Sequence, residues 1–335
     1  MPNYDPALTP GARNAVRTCL RVQPDEKVTL ITDLASSDIA AALAGQVKEL
    51  GAPFHLWMLE DLAPRPLAEM PRLVLDDLET SRVSIFAVVA QANELPSRMQ
   101  MTDVVNRRRI RHAHMVNITR QIMLEGMRAD YDAVDRLSLK LLSITSTSRT
   151  VRARTAAGTD IVASMNPEYR WLKTSGIISE NTWGNLPGGE VWTTPGEVNG
   201  TFVVDGVVGD YLCAKYGDLR SNPLTLRIEA NRLVEARSAN KDLEAEFWRY
   251  THTDENSDRV GEFAIGTNIG VKDVIGNILQ DEKIPGVHIA FGNPYGDHTG
   301  AQWYSSTHID VVGRKFSIWA DETEIMRDGE FLVRP

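Results

Sequence analysis

The chain predicts an α/β fold in two parts: an N-terminal Rossmann-like parallel-sheet domain over residues 1–147, then a β-rich α+β domain over 148–335. Three observations lead there. Apolar, β-branched runs alternate with helical periodicity in the first part, which is the pattern of strands joined by crossover helices. After about Ser148 the texture changes to short alternating runs punctuated by tight turns. At 335 residues, with 42% hydrophobic and 24% charged side chains, the chain can also bury two cores of ordinary size.

The elements follow in order. Asp5 to Val22 is amphipathic, with Ala12, Val16 and Leu20 at helical spacing. Val28–Thr32 is a buried-strand pattern, and Ser36 or Ser37 can cap a helix through Ile39, Leu43 and Val47 that Gly51 stops. Phe54 to Leu59, Val83 to Val89 and His114 to Thr119 read as further strands. No glycine-rich phosphate loop follows the first strand, so this domain reads as a scaffold and lid. Beyond Ser148, Val151–Thr155 and Ile161–Ala163 form one hairpin; Leu224–Ile228 and Val234–Arg237 form another about Asn231-Arg232. Asn240 caps a helix carrying Leu243, Phe247 and Tyr250, and a second helix is expected from about Asp273 to Gln280. His288–Phe291, Thr307–Val312, Phe316–Trp319 and Ile325–Leu332, with a turn at Asp328-Gly329, complete the sheet content.

A net charge of -9 argues against nucleic acid as a partner, because phosphate binding needs a clustered positive surface. Arg107, Arg108, Arg109, Arg111 and His112 could bind an anion but read more simply as a solvated helix face. Cys19 and Cys213 stand alone in different domains, which excludes a disulfide framework and fits a reducing, cytoplasmic setting. No apolar run reaches membrane-spanning length, so no membrane partner is expected.

The second domain concentrates carboxylates and imidazoles. Glu190, Glu262, Glu282 and Asp310 would bring four negative charges, matching two divalent cations, and His288 and His308 add neutral nitrogens. His308 and Asp310 are two apart on an expected strand and so share a face. A glutamate entering the apolar run Phe263-Ala264-Ile265 is costly unless bound or paired, which singles out Glu262, expected just past a helix bearing Asp254, Glu255 and Asp258. Glu190 follows the Pro187-Gly188-Gly189 turn. Tyr295, in the loop after His288–Gly292, could donate a hydrogen bond to an oxyanion. His252 and His298 read as exposed.

In order and wording, Pro187–Pro195, Gly261-Glu262, Asp281-Glu282, His288–Tyr295 and His308–Asp310 resemble the M29 family of metallo-aminopeptidases, the aminopeptidase T and aminopeptidase S group. The chain departs from it at Gly189, where an acidic residue is usual, in one extra residue before His288, and in looking like a short member with its deficit near the N-terminus. The resemblance implies a two-metal hydrolase that releases N-terminal residues from small peptides. It implies metal ligation by Glu190, Glu262, Glu282, His288, His308 and Asp310, with Glu262 bridging and zinc, cobalt, manganese or iron all acceptable. Catalytic roles fall to Tyr295 for the oxyanion and to Glu190, or Glu282, for the proton. It also implies a homodimer, for which the tryptophans in loop-like segments, Trp183, Trp192 and Trp303, offered support. Two other readings use the same fold: a small-amide or amino-acid-conjugate hydrolase, and a mononuclear iron ring-cleaving dioxygenase of the 2,5-dihydroxypyridine type, which carries a histidine where this chain has Glu262.

Overall fold

The computed structural model describes residues 4–334, which form two compact units. The first comprises the chain up to Asp132 together with Gly176–Gly188; the second comprises Ala133–Ser175 and Gly189 onward.

In the first unit five parallel strands lie in the order Phe54–Met58, Val28–Thr32, Val83–Val88, Arg111–Val116 and Gly184–Asn185. Val28–Thr32 and Val83–Val88 are buried at every position, as the inner strands of a parallel sheet covered by helices are expected to be. The helix Ser37–Glu49 presents Ile39, Ala40, Leu43 and Val47 to the core, and Gly51 ends it at φ 77°. Two expectations need correction. The fourth strand starts at Arg111 and stops at Val116, because Asn117 turns left-handed (φ 60°) and Thr119 instead caps the helix Arg120–Leu124, accepting from Ile122 N. The basic run is also no single face: Arg107 and Arg108 end a helix, Arg109 is its left-handed cap, and His112 is fully buried in the sheet beside Ser84.

A buried ion cluster ties together the loops at the C-terminal edge of this sheet. Arg65 forms a two-pronged pair with Glu94 (2.8 and 2.6 Å) and reaches Asp33 at 2.7 Å, while Asp33 also accepts from Val89 N at 2.8 Å. Burial works against the charge on Glu94, but Arg65 and two backbone N–H donors outweigh it and hold its pKa at about 2.

The second unit holds two antiparallel sheets. The larger has eight strands, ordered Arg232–Ser238, Leu224–Glu229, Glu197–Val204, Asp160–Ser164, Thr150–Arg154, Ser317–Ala320, Thr323–Arg327 and Glu330–Phe331. The smaller has five, ordered His308–Val312, Gly286–Gly292, Val260–Gly266, Glu190–Thr193 and Leu172–Lys173. Phe202 from the larger sheet and Phe316 just before its strand Ser317–Ala320, with Phe263 and Phe291 from the smaller, belong to one continuous core. Asn240 caps Lys241–Tyr250 as expected, accepting from Asp242 N and Leu243 N. The helix expected from Asp273 is only the turn Ile278–Asp281: Gly276 (φ 77°) breaks the path, Asn277 caps, and the Asp281 carboxylate accepts from Ile275 N and Asn277 N. Asp254, Glu255 and Asp258 lie in turns, not a helix, since the preceding helix ends at Tyr250.

Replacing Arg65 with Met strands two buried carboxylates and should destabilise the protein by about 3–5 kcal/mol in urea unfolding followed by circular dichroism. Because the Glu94 pKa is depressed on folding, its contribution is complete above the unfolded value of roughly 4.3 and fades as pH falls toward about 2. The variant should lack that acid-sensitive increment. Unchanged stability would refute the role given to the cluster.

Candidate metal centre

The five-stranded sheet sorts its side chains by simple alternation. Gly266 pairs with Glu190, Ala264 with Trp192 and His288, and Ala290 with Glu262 and Asp310; His308 pairs with Gly292. Directly opposed residues share a face, so Glu190, Glu262, His288, His308 and Asp310 all project to one side. Between them on that face stand Ala264, Ala290 and Gly266, whose small size leaves room for the donors. The intervening residues Val191, Phe263, Ile265, Ile289, Phe291, Ile309 and Val311 point the other way into the core. Glu282 joins from the turn that follows Ile278–Asp281.

Two glycines are required by this packing. Gly261 forms a bulge that resets the register before Glu262, and a Cβ there would lie 2.5 Å from the Gly292 carbonyl oxygen. Gly189 has φ 136°, and a Cβ on it would sit 2.7 Å from Asn268 N. The absence of an acidic residue before Glu190 thus has a local cause.

The donor atoms ring a common space. His288 Nε2 lies 3.4 Å from Glu262 Oε1 and 3.5 Å from Glu190 Oε2, while His308 Nε2 lies 3.7 Å from Glu262 Oε2 and 3.5 Å from Asp310 Oδ1. Two ligands each about 2.1 Å from a tetrahedral ion stand roughly 3.4 Å apart, so these spacings suit donors arranged about a cation. Three overlapping triads qualify, each with donor atoms within 4.8 Å of one another: Glu190–Glu262–His288, Glu262–His308–Asp310 and Glu282–His288–Asp310. Glu262 stands between the two imidazoles. His308 Nδ1 lies 3.0 Å from the Asn293 carbonyl, and donating there leaves Nε2 free as a ligand.

The electrostatics show the same demand for positive charge. Burial alone would neutralise His288 and His308, yet Glu262 and Glu190 around the first, and Tyr295 and Asp310 around the second, raise both above the ordinary imidazole value. Burial likewise opposes charge on Glu190 and Asp310, and the neighbouring Lys283 and His308 respectively prevail and lower them. Glu282 moves the other way, raised by burial with Asp310 and Glu190 adding repulsion. Oxygen-rich donors with two imidazoles and this density of buried negative charge fit a divalent cation.

Sequence reasoning missed two neighbours. Lys283 is buried, with Nζ 2.7 Å from Glu190 and 2.6 Å from Glu282. Thr174 donates to Glu190 at 2.7 Å. Nothing in local spacing marks Lys283; its proximity to Glu282 in sequence was the only available signal. Tyr295, left-handed at φ 47°, places its ring 4.5 Å from that of His308 and remains partly exposed. Beside it opens a cleft of about 470 Å³ whose walls include Tyr295, Asp297, Trp303 and Tyr304. His252 and His298 are exposed. The tryptophans expected to seek an interface have partners within the chain: Trp183 packs on His112 and His114, Trp192 on Tyr295, and Trp303 under Arg259 at 3.5 Å. They therefore carry no argument for a dimer.

Among solved structures, wild-type AmpT from Thermus thermophilus is similar, at 17% identity and a TM-score of 0.70, over 98% of this chain and 99% of that one. A 2,5-dihydroxypyridine dioxygenase from Pseudomonas putida KT2440 is similar at 14% identity and a TM-score of 0.70, over 97% of each chain. At such identities these show a shared fold, and the overlap with AmpT takes in the N-terminal part, where a deficit had been expected. No curated protein matches in sequence. Residues 139–331 match the family described as thermophilic metalloprotease (M29). That match spans more than half of the chain and includes all six donors, so the chain belongs to the M29 family of metalloproteases and is a hydrolase of that class.

Proposed function

We propose that the protein is a metal-dependent aminopeptidase that removes N-terminal residues from small peptides, with its chemistry carried by residues 148–335. The observation that supports this best is the gathering of six candidate metal ligands, five on one sheet face and Glu282 from the adjoining turn, beside an open cleft. Glu262, His308 and Asp310, with His288, Glu190 and Glu282 around them, would hold the metal; zinc, cobalt, manganese and iron all suit this donor set. A divalent ion there would supply Lewis acidity toward both the scissile carbonyl and water.

The remaining work falls to the protein. A carboxylate of the set, Glu190 or Glu282, takes the proton of the attacking water and returns it to the leaving amine. Lys283, bonded to both, fixes their positions. The Tyr295 phenol donates to the oxygen on which negative charge develops. In the cleft, Trp303 and Tyr304 offer apolar walls and Asp297 a carboxylate for a peptide's free amine. The resemblance alone supports a homodimer. Two free, buried cysteines fit a reducing compartment such as the cytoplasm. No helix among the described residues is long and apolar enough to cross a membrane.

Glu262→Gln keeps shape but loses the shared carboxylate, and should weaken metal retention beyond the 10–100-fold typical of losing an outer partner, as read by chelator competition. Folding is to be judged against chelated wild type, since bound metal itself stabilises. Near-normal retention would remove Glu262 from the centre.

Tyr295→Phe should lower kcat by about 100-fold with little change in KM, because the phenol acts on charge that exists only in the transition state. The substrate assay compares a dipeptide amide, a pentapeptide and a folded protein. Release of N-terminal residues from the two small substrates is the expected result. Cleavage of amides lacking a free amine would favour the amide-hydrolase reading, and oxygen uptake with iron would overturn hydrolysis.

A further inference from the structure

We infer that Lys283 takes the place of one of the two cations that four carboxylates would otherwise demand, so that the chain binds a single divalent ion tightly, on Glu262, His308 and Asp310. The inference rests on the metalloprotease reading and narrows it. Glu190 and Glu282 then serve as ligands of an ammonium group.

The geometry is specific. Lys283 Nζ lies between Glu190 Oε1 and Glu282 Oε1, at 2.7 and 2.6 Å, and the side chain is only 3% exposed. Its backbone is held on both sides: Lys283 N donates to Gln280 O at 2.9 Å, and Lys283 O accepts from Asn268 N at 3.0 Å. Close approach of the Gly266 strand fixes the same turn, since a Cβ on Gly266 would meet the Lys283 carbonyl carbon at 2.9 Å. The backbone of the turn is thus fixed, and from it the buried side chain faces both carboxylates.

Each of the three donor triads can now be weighed. Glu190–Glu262–His288 and Glu282–His288–Asp310 both draw on a carboxylate already paired with the ammonium. A dication placed on either must bind next to that positive charge, in a buried site where water does little to screen the repulsion. Glu262–His308–Asp310 draws on neither carboxylate, and its histidine is the one oriented by the Asn293 carbonyl. One triad is free and two are obstructed.

The test counts ions on the full chain. Protein stripped with a chelator is reloaded by dialysis against zinc and assayed by elemental analysis, with circular dichroism as the folding check. Wild type should bind one zinc per chain and Lys283→Ala two, because the freed Glu190 and Glu282 can then bridge a second ion. Two per wild-type chain would overturn the inference and leave the metalloprotease reading intact. One per folded Lys283→Ala chain would also overturn it. No zinc on either protein would instead overturn the metalloprotease reading itself. If Lys283→Ala does not fold, Glu190→Gln decides: retention of one ion supports the assignment and loss of that ion contradicts it, while Asp310→Asn should lose it in either case.

Discussion

Mutual repulsion among Glu190, Glu262, Glu282 and Asp310, gathered on or beside one face of a small antiparallel sheet, is the constraint on which the second unit depends. Four carboxylates withdrawn from water are tolerable only if positive charge is brought to them. Two imidazoles and a buried ammonium face them, and the carboxylates raise the pKa of each against the opposing effect of burial. The sheet can afford this face because the opposite one is apolar without interruption, from Val191 through Phe263, Ile289 and Phe291 to Val311. Stability is built on one side of each strand and chemistry on the other, at a spacing of two residues.

That same period is why much of the site was legible before any fold was known. His308 and Asp310 declare a shared face by their spacing, and Glu262 stands out as a charge at the mouth of an apolar run. The N-terminal parallel sheet was equally plain, since Val28–Thr32 and Val83–Val88 are short, largely apolar runs rich in β-branched residues and are buried throughout. What stayed hidden depends on contacts distant in sequence or on backbone atoms. Asn293 orients His308 through its carbonyl, which no side-chain pattern encodes. Thr174 meets Glu190 from a different strand context, and the inward direction of Lys283 is set by a turn packed against Gly266. The helix expected over Asp273–Gln280 failed for a related reason: a left-handed Gly276 and the carboxylate of Asp281 stabilise a turn instead.

The first unit solves a comparable problem by different means. Asp33 and Glu94 are more buried than any carboxylate of the metal centre, but a single guanidinium, Arg65, meets both with short hydrogen bonds. In such a cluster the carboxylates are paired directly by short charge-assisted hydrogen bonds. The donor ring of the second unit differs in that its imidazoles stand 3.4 to 3.7 Å from their carboxylates. A closed ion network and an open coordination site are thus distinguished by distance within one chain, guanidinium against carboxylate in the first and imidazole against carboxylate in the second.

Anomalous scattering from crystals of the full chain soaked in zinc, collected on either side of the zinc absorption edge, tests the central claim directly. A strong peak is expected within bonding distance of Glu262, His308 and Asp310, on the donor face of the five-stranded sheet. A peak elsewhere on the molecule, with that face empty at full zinc loading, would contradict the account.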